Sequence, residues 1–280
     1  MPISTITQPQ VAPLLKPRTT DSHKGMFGSV WVIGGGSGMV GAALLAGRAA
    51  LKMGAGCVHI GLLASDAPSV DFVQPELMLH RIEQGLPAVG DVLAIGCGMG
   101  VSAHAQRLLH DALWLDAPLV LDADALNLIA AHTDLATLLR ERTAATVLTP
   151  HPGEAAHLLA CRTADIQSDR PAAARRLAEK FRCTVALKGA TSLVSSEDGT
   201  LYQNTTGNPG MSAPGMGDVL AGMIAAFLAQ GVATTDAAKL AVYLHGAAGD
   251  ALAEFGVKLG MTASELTDSA RHVLNQWQTK

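Results

Sequence analysis

Ser29-Val30-Trp31-Val32-Ile33-Gly34-Gly35-Gly36-Ser37-Gly38-Met39-Val40-Gly41-Ala42 runs from a short apolar stretch, through a glycine-rich turn, into the helical pattern of Ala42–Met53. Ser29–Gly34 is too short for a helix and too uniformly apolar for a strand with one wet face, so it predicts a strand buried on both sides. The unit recurs down the chain. Cys57–Leu63, Val92–Gly96, Leu119–Asp122 and Thr146–Thr149 read as further strands, with helical stretches near Ala103–Trp114, Asp124–Ala131 and Pro171–Phe181. Such alternation predicts an α/β fold, a central and mostly parallel sheet flanked by helices on both faces. Thr184–Leu187, Thr191–Ser195 and Thr200–Gln203 lie close together, and Glu197-Asp198-Gly199 between the last two is a turn signal. They predict a hairpin at one sheet edge. After Gly217 the strand signals stop, and helices are expected over Asp218–Leu228, Asp236–Glu254 and Thr262–Trp277. With no repeat and no linker, 1–280 reads as a single domain, with 1–28 as a polar leader segment packed on it.

Composition removes several functions. Hydrophobic residues make up 49% and charged residues 16%, which excludes disorder. A net charge of -4 gives no footprint for a phosphate backbone, so nucleic acid is not an expected partner. The run Val219–Ala229 is ended by Gln230, short of the roughly 20 residues a bilayer needs, so no membrane is expected either. The first twenty residues lack an apolar signal core. The four cysteines stand at least 22 residues apart, which reads as reduced thiols in the cytoplasm rather than as a zinc or redox pair.

Chemistry concentrates where strands end. Gly36, Gly38 and Gly41 form a formal GxGxxG, yet the acidic residue that a hydride-transfer site needs after the next strand is missing unless Asp66 supplies it. A glycine turn that lets a ligand approach the backbone fits better. Asn208-Pro209-Gly210-Met211-Ser212-Ala213-Pro214-Gly215-Met216-Gly217-Asp218 leads straight into an apolar helix. Unpaired N–H groups and the helix dipole make that a cradle for a phosphoryl group. Asp218 is there either a helix cap or a base that takes a proton from an attacking hydroxyl. Thr149-Pro150-His151-Pro152-Gly153-Glu154 puts His151 on a rigid loop at a strand end, where it either meets ligand or is an ordinary surface residue. Asp122 and Asp124 follow another strand as a site carboxylate and a cap, and Lys188 ends a third, suited to a nucleotide phosphate or ribose edge.

In this order the motifs His23-Lys24-Gly25-Met26-Phe27-Gly28, Ile33-Gly34-Gly35, Gly41-Ala42, Asp122-Ala123-Asp124-Ala125-Leu126-Asn127, Thr149 to Glu154, Lys188-Gly189, Asn208-Pro209-Gly210-Met211 and Gly215-Met216-Gly217-Asp218-Val219-Leu220-Ala221-Gly222 resemble the NAD(P)H-hydrate dehydratases of the ribokinase-like superfamily. The likeness runs from about residue 20 to the last helices. It implies repair of NADH or NADPH hydrated at the nicotinamide ring, S epimer, at the expense of a nucleoside phosphate. ADP is the implied co-substrate, with ATP the other choice and Mg2+ accompanying it. The hydrate would contact Ala42, Gly100, His151 and Asp218, with Asp218 catalytic. The nucleotide would contact Lys188, Gly189, Ala190, Thr191, Ser192, Gly215 and Gly217. No protein metal ligands are implied. The resemblance further implies a separate hydrate epimerase, since no epimerase domain precedes the motifs, and a homotetramer. The family usually reads Thr-Gly-Gly-Thr-Gly-Asp where this chain has Ala213-Pro214-Gly215-Met216-Gly217-Asp218, so both threonine hydroxyls are missing and Pro214 removes one N–H. Backbone donors must then do the holding; Gly217 is expected to supply positive φ or close approach, and Met216→Thr to preserve or modestly tighten nucleotide binding. The competing readings are a ribokinase-like kinase of a small hydroxylated metabolite, of hydroxyethylthiazole or pyrimidine alcohol type, and a nucleotide sensor without turnover.

Overall fold

The computed structural model describes residues 3–15, 17–86 and 90–278. The expected domain 1–280 and leader 1–28 thus include a few positions, Met1, Pro2 and Lys16 among them, that lie outside the described residues. Ten strands, β1 (Ile3–Thr5), β2 (Ser29–Gly34), β3 (Cys57–Leu62), β4 (Met78–Arg81), β5 (Val92–Ile95), β6 (Leu119–Leu121), β7 (Thr146–Leu148), β8 (Thr184–Leu187), β9 (Leu193–Ser195) and β10 (Leu201–Gln203), form one sheet in the order β1-β10-β9-β8-β7-β6-β5-β2-β3-β4. From β8 to β4 every pairing is parallel. Strand β9 runs antiparallel to both β8 and β10.

Alternate residues of the parallel strands feed two cores. Val30, Val32, Ala94, Val120, Val147 and Ala186 point to one side. Trp31, Ile33, Leu93, Ile95, Leu121 and Leu148 point to the other. Helices α2 (Val40–Lys52), α9 (Met216–Ala229), α10 (Thr234–Glu254) and α11 (Ala263–Gln278) cover the first face. Helices α3 (Ala103–Leu113), α4 (Asp124–Ala131), α5 (Thr133–Glu141), α6 (Pro152–Leu159), α7 (Thr163–Ser168) and α8 (Arg170–Phe181) cover the second, and a short α1 (Gln8–Val11) precedes them all. Both faces are dry, which is why the strands read as apolar runs rather than as alternations. Among the described residues no helix is long and apolar enough to cross a membrane.

Several features differ from the sequence reading. The leader is part of the sheet: Ile3–Thr5 pairs in parallel with β10, so β1 and not the β9–β10 hairpin forms that edge. Helices α1, α5 and α7 and strand β4 are additional; α1 and α7 are four and six residues long, and β4 is four residues long and mostly exposed. Element ends otherwise differ by one or two residues, as helix and strand ends do.

The topology makes a crevice. The chain steps outward from β2 to β3 and β4, then returns to the other side of β2 and steps the opposite way through β5, β6, β7 and β8. At that reversal the helices that follow β2 and β5, α2 and α3, pack on opposite faces of the sheet, and the edge beyond the carboxyl ends of the strands is where open α/β sheets take their ligands.

Candidate active site

The loops leaving β2, β5, β6, β7 and β8, together with the start of α9, converge on this edge. The first two are laced together: Gly35 N–H donates to the Cys97 carbonyl at 3.0 Å and Gly36 N–H to that of Gly98 at 2.7 Å. Ala42, in the first turn of α2, abuts Gly98, where an added β-carbon would come within 3.0 Å of the Ala42 side chain. Gly100 N–H donates to Asp124 Oδ2 at 2.8 Å. Ala42 and Gly100 thus lie in the segments that follow β2 and β5.

Between Asp122 and Asp124 the backbone of Ala123 takes φ 49° and ψ -114°, a strained conformation for a residue with a side chain. It turns the two neighbouring carboxylates into different directions. Asp124 serves the Gly100 loop; Asp122, 2% exposed, accepts from Lys188 Nζ at 2.6 Å. Asp122, Asp218 and the buried thiol of Cys97 offer atoms all within 4.8 Å of one another.

Asp218 is the third residue of α9, whose N-cap is Gly215 at φ 86°. Gly215 thus supplies the left-handed turn expected of Gly217. Asp218 makes no hydrogen bond to backbone among the described residues, which removes the cap reading. Burial, then Asp122, push its carboxyl up to about 6. A base poised near neutrality beside helix N–H groups suits proton abstraction. The N–H groups of Met216, Gly217 and Asp218 have no carbonyl one turn back to bond. Pro214 lies before the helix, so its missing N–H takes nothing from this set.

His151 is a helix cap with consequences. Its Nδ1 accepts from Gly153 N–H at 2.9 Å and Glu154 N–H at 3.3 Å, so the ring proton sits on Nε2, 3.3 Å from Glu154 Oε1. Glu154 Oε2 in return accepts the His151 N–H at 2.7 Å, closing a capping box. Burial and the nearby Lys188 lower the His151 pKa, so the ring is neutral when its half-exposed side chain faces the crevice.

Lys188 is the hub. Burial works against its ammonium, but Asp122 and Glu154 more than compensate and keep it charged. It opens a cavity of about 460 Å³. Gly189, Ala190 and Ser192 line one wall, the loop Asn208 to Ser212 another, and Met216, Gly217 and Leu220 of α9 the floor. Of the expected nucleotide residues, Thr191 and Gly215 do not line it. Thr191 instead takes Arg170 on its carbonyl at 3.0 Å, and Gly215 packs against Leu45. Gly217 is needed for space rather than for φ: a β-carbon there would lie 3.2 Å from Lys188 Nζ and 3.5 Å from Asp122 Oδ2. The Met216 side chain is 7% exposed and packs into the core.

Sequence reasoning missed four contributors. His245 lines the cavity and donates Nε2–H to the Met216 carbonyl at 2.9 Å, with burial bringing its pKa down to about 4. Asp250 accepts from Gly207 N–H at 2.8 Å and Asn208 Nδ2 at 3.1 Å, fixing the cavity's loop. Asn204 ties that loop to α10 through the Val242 carbonyl. Glu154 had been read only as opening a helix, yet it is buried and carries two polar partners. No motif announces the first three: His245 and Asp250 lie inside α10, and Asn204 follows β10.

With this geometry in place, known proteins are informative. The family model for NAD(P)H-hydrate dehydratase matches residues 30–271. The ADP-dependent (S)-NAD(P)H-hydrate dehydratase of Neisseria meningitidis is 42% identical over 94% of this chain and 90% of its own length. The bifunctional NAD(P)H-hydrate repair enzyme of Escherichia coli is 38% identical over 98% of this chain, which spans about half (52%) of that protein. The crystal structure of the ADP/ATP-dependent NAD(P)H-hydrate dehydratase of Bacillus subtilis, co-crystallized with ATP/Mg2+, superimposes with a TM-score of 0.89, at 30% identity over 99% of each chain.

Proposed function

Because the chain belongs to the NAD(P)H-hydrate dehydratase family, we propose that it returns the S epimer of hydrated NADH or NADPH to the working cofactor, using ADP or ATP. The observation that carries this reading is Asp218 in the first turn of α9, a carboxyl within 4.8 Å of Asp122, which in turn holds Lys188 at the cavity. Nucleotide fills the cavity against Lys188, Gly189, Ala190, Ser192 and Gly217. Its terminal phosphoryl group meets the free N–H groups of Met216, Gly217 and Asp218. The hydrated ring lies on the crevice side, near Ala42, Gly100 and His151.

The ring hydroxyl gives its proton to Asp218 as its oxygen takes the terminal phosphoryl group, whose bond to the nucleotide breaks to release AMP from ADP, or ADP from ATP. The C–O bond then breaks, phosphate leaves with the electron pair, and the ring nitrogen lone pair drives its departure. The adjacent ring carbon gives a proton to the departing phosphate and the ring double bond returns. Among the described residues the Cys97–Asp122–Asp218 group does not suit a resident Mg2+: one donor is a soft thiol, and Asp122 is already held by Lys188. Mg2+ then accompanies the nucleotide as part of the substrate.

The deciding assay is the S hydrate of NADH with ADP or ATP. Recovered nicotinamide absorbance with stoichiometric inorganic phosphate supports the reading; a stable phosphoester would mean a kinase, and tight binding without turnover a sensor. We further place the enzyme in the cytoplasm as a homotetramer working beside a separate hydrate epimerase. Exposed Phe72, Val73, Phe255 and Leu259 support an assembled state, which sedimentation tests.

His151→Ala should weaken hydrate binding more than nucleotide binding, since the ring stands on the crevice side. It should also cost about 0.5–2 kcal/mol of stability through the lost cap. Separate titrations of the two ligands and a melt check this, and equal loss for both ligands counts against the placement.

A further inference from the structure

Glu154 is used by no step above, yet it is buried at 6% exposure with its Oε2 3.9 Å from Lys188 Nζ. The ammonium at the cavity mouth is thus shared by two buried carboxylates, Asp122 at 2.6 Å and Glu154. Other charged groups do not relieve the imbalance. Asp124 from the β6–α4 loop and Asp218 from α9 add negative charge nearby. His151 and His157, on or beside α6, are the remaining titratable neighbours on its own element. From α8, Arg170 is spent on the carbonyls of Leu187, Lys188 and Thr191, and Lys180 on that of Leu158. From α7, Arg162 pairs with Asp165 at the exposed end. An anionic ligand that reaches Lys188 from the cavity therefore meets an ammonium already shared by two buried carboxylates.

We propose that Glu154 sets how much of the Lys188 charge an incoming nucleotide meets. Ionised, Glu154 and Asp122 share the ammonium; protonated, Glu154 leaves it to the phosphates, so that binding is accompanied by uptake of a proton at Glu154. Burial above all pushes this carboxyl up to about 7, so both forms are populated at neutral pH. The proposal rests on the cavity's being the nucleotide site and makes Glu154 a positioning residue, acting on nucleotide through Lys188.

The test is calorimetric titration of ADP into wild type and Glu154→Gln, in two buffers of different ionisation enthalpy, from pH 6 to pH 8.5. Gln keeps an oxygen for the His151 N–H, so the helix cap survives. The nucleotide's own phosphate titrates near pH 6 and contributes equally to both proteins. Wild type should take up about half a proton more than Glu154→Gln near pH 7.5, and its affinity should fall about tenfold further across the range. Equal proton counts and parallel pH curves would overturn the proposal. So would weaker binding by Glu154→Gln at every pH, which would make Glu154 a mere anchor for Lys188. Should the variant not fold, the Glu154 carboxyl resonance of the wild type decides the matter: its midpoint rises when ADP is added, or, staying put, refutes the idea. Absence of any ADP binding by wild type would bring down the nucleotide-site reading itself, an outcome distinct from binding without the extra proton.

Discussion

Asp218→Asn should lose turnover by about 10²–10⁴-fold, bind ADP within a few-fold of wild type, and be more stable than wild type above pH 7. The first effect follows because the amide fills the same space but cannot take the hydroxyl proton. The third follows from burial. In the folded protein the Asp218 carboxyl is raised to about 6 from an ordinary value of 3.8. A folded state that holds its proton more tightly than the unfolded chain loses stability as pH rises between those two values, and the loss is complete above the higher one. The shift amounts to about 3 kcal/mol in order of magnitude, and Asn, having no charge to bury, escapes it. Urea unfolding of both proteins at pH 4 and pH 8, the repair assay and a calorimetric titration with ADP together read all three. A variant that keeps a tenth of wild-type turnover would remove Asp218 from the chemistry. One that is less stable at pH 8 would make the side chain a structural support.

How far such a site can be read beforehand depends on where its parts lie along the chain. Asp218, Lys188 and His151 were legible because each ends a strand or starts a helix in a run of Gly and Pro, and those local signals survive without tertiary context. The strands of the parallel sheet were legible for a similar reason: burial on both faces leaves short apolar runs such as Val92–Ile95. Strand β1 was not, since Ile3–Thr5 is exposed and gains its identity only by pairing with β10, nearly two hundred residues away in sequence. Likewise His245 and Asp250 lie inside a 21-residue helix with no local mark of function; only the packing of α10 brings them to the cavity. His151 shows a subtler limit. Its position was readable, but its tautomer is fixed by two N–H groups of the following helix turn, a matter of distances.

Gly217→Val should abolish ADP binding, and the reason is steric, not conformational. Gly217 is ordinary helix in its backbone, whereas Gly215 carries the left-handed turn. A β-carbon at 217 would already sit 3.2 Å from Lys188 Nζ, tight enough that the lysine must give way by a few tenths of an ångström. Ala is therefore expected to weaken binding modestly. The two further methyl groups of Val extend into the space between the ammonium and the first N–H groups of α9, where the phosphoryl group must go. They also press on the Lys188–Asp122 pair, and parting a buried pair costs about 3–5 kcal/mol, so a lower melting temperature should accompany the lost binding. Met216→Thr makes the contrast. Its hydroxyl would have to come from a side chain that now packs among α9 neighbours, and shortening it leaves a void costing about 2–5 kcal/mol. The expected result is no gain in affinity, against the modest tightening that the missing threonines had led one to expect. Calorimetry of Gly217→Ala, Gly217→Val and Met216→Thr beside wild type, with melts of each, orders the series. Tight ADP binding by Gly217→Val would move the phosphate cradle away from the head of α9.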